Sequence, residues 1–471
     1  MIVKRQQGRV ARVSGRAARV VIALAVASMA AGWAGVLPAS AAGAPARPAV
    51  TLGPSLTAAQ GVPVTMAPTG LSLEYAVMAQ QLGSAGCPPP ALVAELARLG
   101  SPPLQLGGLS QDQTVPAGAM PNPPTSWDEA TLYPLSSGFW SQLHCLLAST
   151  REPLTVGLNV HTGTSAWAAQ MATEAQGAAV AGLSFSLGNE PDRYRYPNWA
   201  ALDKPFAGEE AAAAGLYVQL ANLLRPGIGA SPLIGPELAT AATWRKRLPL
   251  VVKALGMQTV AVHMYPLTTC RSAKEATIKG LLTSRAGNAP ARLAWVAADA
   301  RELGLPAIIS EANSISCGGR PGVSNSPASA VWAIRFVLAA LESGFLEVRF
   351  HFSGNSYDPF VVRGSRVIER PLGGAMAALN QWLPVGSTLR PVHVKGLVAS
   401  AIAESQGSSV LLLDNETLRA APVLLRGANA VQLTIFSSHH AGPSVKNLGS
   451  PRGRIKISVA PNSVVAVTFV P

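Results

Sequence analysis

Two acidic residues, each at the end of a short apolar run, could perform acid and nucleophile chemistry. Glu190 follows Phe-Ser-Leu-Gly-Asn at 185–189, and Glu311 follows Ile-Ile-Ser at 308–310. In a barrel of parallel strands such a run lies in the core, and its C-terminal residue emerges at the mouth. Two carboxylates that face one cleft can hydrolyse a glycosidic bond without a cofactor. The spacing therefore indicates a two-carboxylate site, with no cofactor and no metal expected.

The two carboxylates should have different protonation states. Glu190 is expected to be the general acid and later the base, because burial in an apolar, sugar-covered cleft raises the pKa of a carboxyl group. Glu311 is expected to stay ionised and to attack the anomeric carbon. A separation of about 5 to 5.5 Å predicts retention of configuration, whereas about 6.5 to 9.5 Å predicts inversion.

Residues around the pair are candidates for substrate contacts. Asn189 could bind the 2-hydroxyl of the sugar, or could simply be a turn residue. In the phrase His263-Met-Tyr265-Pro, the phenol could donate to the nucleophile, or the ring could only pack at the barrel rim. Gly318 and Gly319 could present converging N–H groups to a uronate carboxylate, or could form a flexible turn.

The elements that must position these residues alternate between strand and helix. Eight strands are predicted: Gly70–Tyr75, Pro103–Leu106, Leu154–Asn159, Leu183–Leu187, Leu233–Glu237, Thr259–Tyr265, Ala307–Ser310 and Glu347–Phe352. Five helices are predicted between or after them: Pro89–Leu99, Thr164–Ala179, Glu209–Leu224, Pro290–Leu303 and Ser326–Gly344. This alternation predicts an α/β fold, a (β/α)8 TIM barrel, with Glu190 closing the fourth strand and Glu311 the seventh.

After residue 379 the pattern changes to short, alternating, β-branched runs separated by turn residues, which predicts a C-terminal all-β sandwich domain. The predicted organisation is a signal peptide at 1–41, a linker or edge strand of the β domain at 42–69, the catalytic barrel at 70–379 and the sandwich at 380–471.

The first residues read as an export signal. A region with six of the 37 basic residues precedes the apolar segment Val20–Met29, and an Ala-x-Ala site ends at Ala41. An uncleaved membrane anchor is the alternative, because 20–37 is nearly long enough to span a bilayer. Without this segment 31 basic and 24 acidic residues remain, a formal net charge of +7. That charge would suit a uronic-acid substrate, or could belong to an ordinary solvated surface. The remaining chain contains no lysine- and arginine-rich run, so a nucleic-acid partner is not expected.

The four cysteines fit an exported protein with up to two disulfides. Cys270 could pair with Cys317, which would leave Cys87 and Cys145 for the second bond, although four cysteines allow three pairings. They form no C-x-x-C motif, and the sequence contains neither G-x-S-x-G nor H-E-x-x-H, so zinc, thioredoxin-like and serine-hydrolase chemistries are disfavoured.

The segments 185–191, 263–267 and 309–319 together resemble glycoside hydrolase family 79, the clan A retaining family of β-glucuronidases and heparanases. The likeness covers about residues 70–471. The resemblance implies Glu190 as acid/base, Glu311 as nucleophile, Asn189 and Tyr265 as supporting residues, and Glu74 as part of the site. It also implies a substrate with β-linked glucuronic acid or its 4-O-methyl ether. The export signal and the cysteines predict a secreted or cell-envelope location.

One departure from the family concerns the end of the second strand. Many relatives have a phrase like Arg-x-Gly-Gly-Asn, whereas this chain has Gln105-Leu-Gly-Gly-Leu109. An arginine there would hold the nucleophile ionised, and Gln105 cannot supply that charge. Two alternatives therefore stay open: a non-catalytic carbohydrate-binding cell-surface protein on the same fold, and another clan A glycosidase that cleaves a neutral sugar.

Overall fold

The structure is a computed structural model that describes most of the compact unit Arg47–Pro471. The described residues are 49–51, 61–83, 86–119, 133–160, 163–194, 210–270, 272–392, 394, 397, 399–405, 408–426, 430–440, 442–448 and 454–469. The predicted signal peptide and its cleavage site lie outside them.

Eight parallel strands close into a barrel and follow one another around it in sequence order. They are Thr69–Glu74, Leu104–Gly107, Leu154–Leu158, Leu183–Leu187, Leu233–Leu238, Thr259–Met264, Ala307–Ala312 and Val348–Phe352. The eighth strand pairs with the first to close the ring, from Val348 opposite Thr69 to Phe352 opposite Leu73. These are the eight predicted strands, with ends that shift by one or two residues.

The barrel strands are apolar because both of their faces are covered, one by the barrel interior and the other by helices. The seventh strand is buried along its whole length. It continues past the predicted end at Ser310 because Glu311 and Ala312 still pair with the sixth strand. Glu311 is therefore fixed within the sheet and does not lie on a loop.

Helices cover the outside of the barrel. The α-helices of eight residues or more are Tyr75–Leu82, Pro90–Arg98, Phe139–Thr150, Ser165–Ala178, Glu210–Ile228, Leu248–Leu255, Ala294–Glu302, Pro327–Glu342 and Pro371–Trp382. Five of them match predicted helices. Among the described residues, no helix combines the length and the apolar character needed to span a bilayer.

The C-terminal part of the chain and two short strands that precede the barrel form two β-sheets that pack face to face. One sheet has seven strands: Val62–Pro63, Thr388–Pro391, Ala399–Ser405, Ser408–Asn415, Ser463–Phe469, Ala430–Ser437 and Ser444–Asn447. The other has three: Ala49–Thr51, Ala421–Arg426 and Arg454–Val459. Leu411 and Val465 of the larger sheet share a buried core with Val423 and Ile457 of the smaller one. This core makes the predicted all-β sandwich.

Candidate active site

A cleft of about 920 Å³ opens at the C-terminal mouth of the barrel. Its lining includes six of the predicted site residues: Glu74, Asn189, Glu190, Tyr265, Glu311 and Gly318. They come from the ends of the first, fourth, sixth and seventh strands and from the loops that follow. The parallel barrel brings them together because all of its strands end at the same face.

Glu190 lies three residues after the fourth strand, in a left-handed backbone conformation with φ 51° and ψ 53°. A non-glycine residue adopts this conformation only where its surroundings hold it there. The Glu190 amide donates to the Glu237 carbonyl at 3.2 Å, and the preceding Asn189 amide donates to Asp112 Oδ2 at 2.9 Å. Contacts with the fifth strand and with the loop after the second strand therefore fix the backbone that carries the Glu190 side chain.

Asp112, which the sequence analysis did not select, anchors this loop. Its carboxylate accepts from the Tyr194 hydroxyl at 2.7 Å and from the Val160 amide at 3.2 Å, in addition to Asn189. Burial raises the pKa of Asp112 to about 7, because the hydrogen bonds offset only part of the desolvation. Asp112 lies in the loop after the second strand, where its only sequence signal is an acid near a strand end.

Glu311 is held by the sixth strand. The Tyr265 hydroxyl donates to Glu311 Oε1 at 2.8 Å, and His263 is directly opposite Glu311 in the strand pairing. This is the contact that the sequence analysis considered for the phenol. In this hydrogen bond the Glu311 carboxylate is the acceptor, and the bond restricts rotation of the carboxylate group.

Glu190, His263 and Glu311 converge on one point. Their nearest polar atoms all lie within 4.8 Å of one another. His263 Nδ1 is 3.1 Å from Glu190 Oε1 and 3.9 Å from Glu311 Oε1. His263 is buried and is not part of the cleft lining. Its side chain therefore contacts the two carboxylates and not the cleft. The gap between the carboxylates is the short one, typical of a retaining pair.

The expected direction of the Glu190 pKa shift is wrong. Burial does raise it, but the hydrogen bond and the charge of His263 outweigh burial, and the net pKa of Glu190 lies below its ordinary value. Conversely, burial lowers the pKa of His263, but Glu311 and Glu190 raise it to about 9. The pair therefore carries its proton on the imidazole.

A third carboxylate lies in the barrel beneath this pair. Glu237, at the end of the fifth strand, is buried, and its Oε1 accepts from Gln105 Nε2 at 2.5 Å. Gln105 Oε1 in turn accepts from Arg349 Nη1 at 2.8 Å. Burial raises the pKa of Glu237. The side chain of Gln105 is thus directed at Glu237 and Arg349.

Glu74 and His351 form the wall opposite Glu190. Glu74 Oε1 is 3.3 Å from His351 Nε2, and His351 Nδ1 is 3.4 Å from Glu311 Oε2. Sequence reasoning did not select His351, although the strand that carries it was predicted. A lone histidine within an apolar strand has no local pattern that reveals its partners.

The two glycines after Glu311 face different ways. Both have left-handed backbones, with φ 82° at Gly318 and 76° at Gly319. Gly318 lines the cleft, whereas a Cβ at Gly319 would lie 2.6 Å from Ser356 Oγ and 2.9 Å from Tyr357 Cδ1. Only Gly318 is therefore placed to meet a ligand in the cleft.

Two disulfides join Cys87 to Cys145 and Cys270 to Cys317, which is the pairing that the sequence analysis considered first. The second links the loop after the sixth strand to the loop after the seventh. Cys270 and Cys317 both line the cleft. This disulfide therefore forms part of the rim.

Across the described ranges, Glu190, His263 and Glu311 are also the one group of three side chains spaced to hold a metal ion. A metal ligand must be the neutral imidazole, so binding would require His263 to lose its proton. The hydrogen-bonded carboxylate and imidazolium of the described site favour proton chemistry here.

No protein-family model matches the sequence, and no curated protein sequence is significantly similar to it. Solved structures do match. A 4-O-α-L-rhamnosyl-β-D-glucuronidase from Fusarium oxysporum 12S is 16% identical, with a TM-score of 0.64 over 87% of this chain and 97% of that one. A GH51 arabinofuranosidase from Xanthomonas axonopodis pv. citri is 13% identical, with a TM-score of 0.63 over 90% and 99%.

A GH30 endoxylanase from Clostridium papyrosolvens C71 matches at 9% identity, with a TM-score of 0.54 over 90% of this chain and 100% of that one. At these identities the likeness establishes the fold alone. The chain therefore has the barrel-plus-β-domain fold of these glycoside hydrolases, and membership of family 79 itself stays a prediction.

Proposed function

We propose that this protein is a retaining glycoside hydrolase that uses Glu190 as acid/base and Glu311 as nucleophile. The observation that carries the proposal is the short gap between the two carboxylates, whose nearest oxygens lie within 4.8 Å of each other in one cleft. A gap of this kind leaves no room for a water between carboxylate and sugar, so direct attack on the anomeric carbon is the matching chemistry.

In the first step Glu311 attacks the anomeric carbon while the glycosidic C–O bond breaks and Glu190 gives its proton to the leaving oxygen. The proton that rests on His263 Nδ1 moves to Glu190 across the 3.1 Å contact. In the second step Glu190 removes a proton from water, the water oxygen bonds to the anomeric carbon, and the Glu311 ester is released. Tyr265 keeps Glu311 directed at the sugar throughout.

Loss of charge on Glu311 helps Glu190 to change roles. Once Glu311 is esterified, the negative charge that opposed ionisation of Glu190 is gone, and Glu190 has already given its proton to the leaving oxygen. Glu190 is then stabilised as the carboxylate that the second step needs.

For the sugar we propose a β-linked glucuronic acid or its 4-O-methyl ether, cleaved from glucuronides or polysaccharides as in β-glucuronidases and heparanases. The sequence resemblance supports this, as does the position of Gly318 on the cleft wall, where its amide could meet a carboxylate. The two disulfides fit a secreted or cell-envelope enzyme.

A neutral sugar is the second candidate. The cleft lining contains three acidic residues, Glu74, Glu190 and Glu311, and one arginine, Arg193. This excess of acidic groups opposes the binding of a negatively charged uronate. A non-catalytic sugar-binding protein is the remaining alternative, and the assay must distinguish it from both enzymes.

The test is release of a chromogenic aglycone from aryl β-glucuronide, with aryl β-xyloside and α-arabinofuranoside in parallel. The wild type is expected to release it, and Glu190→Gln and Glu311→Gln to lose more than about a hundredfold. Azide should restore turnover in Glu190→Gln on an activated aglycone. Activity unchanged in both variants would refute the site, and calorimetric sugar binding with no product from any glycoside would favour the non-catalytic alternative.

A further inference from the structure

His351, near the end of the eighth strand, lies between two carboxylates from different strands. Its Nε2 is 3.3 Å from Glu74 Oε1 and its Nδ1 is 3.4 Å from Glu311 Oε2. A neutral imidazole has one N–H, whereas the imidazolium has two. Only the charged ring can donate to both carboxylates at once.

Glu74 is itself held as a carboxylate. It accepts from the Ser110 amide at 2.7 Å and from the Leu109 amide at 3.1 Å. Burial raises the pKa of Glu74, but the contacts with His351 and Ser110 outweigh burial and lower it. The Nε2 proton of His351 therefore has an acceptor that stays ionised.

The other side of the ring faces an unsatisfied nucleophile. His351 Nδ1 and Glu311 Oε2 are both buried, and within the described part of the chain neither has another hydrogen-bond partner. Leaving such atoms unpaired is unfavourable, and more so for charged groups. The two atoms lie 3.4 Å apart, so an N–H on Nδ1 has Oε2 as its acceptor.

The neighbouring strands direct their polar groups elsewhere. Gln105 on the second strand contacts Glu237 and Arg349. The Arg349 guanidinium also holds Glu347 at 2.9 Å and Thr155 at 2.8 Å. His263 makes its closer contact with Glu190, at 3.1 Å. His351 is thus the cation placed against the second oxygen of Glu311.

We propose that the His351 imidazolium, held in place by Glu74, is the positioning residue that compensates the charge of the Glu311 carboxylate and directs it at the sugar, a role that Gln105 cannot perform. The inference rests on the proposed function for its catalytic meaning. The ion pair between His351 and Glu311 can be tested without measuring turnover.

The surroundings set the pH range of this cation. Burial lowers the pKa of His351, but Glu311 and Glu74 raise it to about 9. The titratable groups around it, from every element packed against it, are Glu311, Glu74, Glu190, Asp358, His263 and Tyr357. Carboxylates predominate, so the ring stays charged through neutral pH and loses its proton near pH 9.

The first experiment does not need activity. Histidine Cε1–Hε1 signals of the full chain are followed by NMR against pH, and the His351 signal is assigned by its loss in His351→Asn. A midpoint near pH 9 is expected in the wild type, with a drop of about one unit or more in Glu311→Gln. A midpoint near the ordinary value of about 6.5, or one that Glu311→Gln leaves unchanged, would overturn the inference even in an active enzyme.

The second experiment measures the nucleophile. A 2-deoxy-2-fluoroglycosyl fluoride of the sugar that the wild type accepts labels Glu311, and the fluoride leaving group needs little help from Glu190. In His351→Asn, which keeps a donor near Glu311 but no charge, labelling at about pH 7 should slow by about tenfold or more. The loss should shrink towards about pH 10, because the wild-type His351 loses its own charge near pH 9. His440→Asn, which replaces an exposed histidine, is the matched control and should be labelled at the wild-type rate.

Equal labelling of His351→Asn and wild type at both pH values would overturn the inference and leave the proposed function standing. A uniform loss at both pH values would also count against it, because it would indicate a packing defect. A wild type that no fluoride labels would refute the proposed function, and the NMR titration would still decide whether the ion pair exists.

Discussion

The proton shared by Glu190 and His263 leads to a prediction for His263→Asn. His263 Nδ1 lies 3.1 Å from Glu190 Oε1, and the pKa of His263 is raised to about 9. The wild-type pair therefore keeps one proton up to about pH 9, and kcat/KM should hold until then. In His263→Asn the only proton is that of Glu190, so kcat/KM should fall at a much lower pH.

The magnitude follows from the contact. Two unit charges 3.1 Å apart attract by about 5 kcal/mol at an effective dielectric constant of about 20, equivalent to about four pKa units. Desolvation reduces the net effect to about 1–3 units for a neighbouring opposite charge. Without the imidazolium, Glu190 keeps the upward pKa shift caused by burial but loses the proton stored on His263. The variant's alkaline limb should therefore lie at least about two pH units below the wild-type limb near pH 9.

The assay is kcat/KM on the accepted aryl glycoside from about pH 4 to about pH 10. His144→Asn, which replaces an exposed imidazole on an outer helix, is the control and should keep the wild-type profile. An alkaline limb that stays near pH 9 in His263→Asn would refute the shared proton.

Three further predictions concern the supports of the site. Tyr265→Phe removes a 2.8 Å charged hydrogen bond to Glu311, so kcat/KM should fall by about ten- to a hundredfold. An unchanged kcat/KM would show that this hydrogen bond does not contribute to catalysis. Asp112 has its folded pKa raised to about 7, so its protonation stabilises the fold at low pH and the benefit is lost as pH rises through 7. The wild-type melting temperature should therefore drop from about pH 5 to about pH 8, and Asp112→Asn should flatten that slope in calorimetry; an equal slope in both proteins would contradict this. Gly108→Ala places a Cβ 2.6 Å from the Glu74 carboxylate and 2.7 Å from His351, so activity should fall and unfolding midpoints drop. Gly118→Ala, with a similar positive φ and open space, should cost only backbone strain of about 1 kcal/mol, and equal losses in the two variants would argue against the crowding.

The sequence was sufficient to predict the barrel because each strand is a compact apolar run bounded by turn residues. Helices with strong end signals were also predictable, for example Pro327–Glu342 between Ser326 and Gly344. Phe139–Thr150 was missed because it begins after Gly138 and ends in Arg151 in a left-handed conformation, a conformation usually reserved for glycine.

The polar contacts of the site could be predicted only in part. Glu190 and Glu311 stand at strand ends, where a local pattern reveals them. His351 and Glu74 meet across the closure of the barrel, 277 positions apart in sequence, and no local pattern encodes that contact. The direction of the Glu190 shift was wrong for the same reason, since the opposing cation comes from the sixth strand.

The Cys270–Cys317 disulfide has a practical consequence for how the protein is produced. Both cysteines line the cleft, whereas the sheet itself holds the strand that carries Glu311 and the strand that precedes Glu190. Material made in a reducing compartment should therefore retain the reactive carboxylates but lose a defined cleft edge. If substrate affinity is weak in such preparations and recovers after oxidative refolding, the cause is the cleft rim and not the catalytic carboxylates.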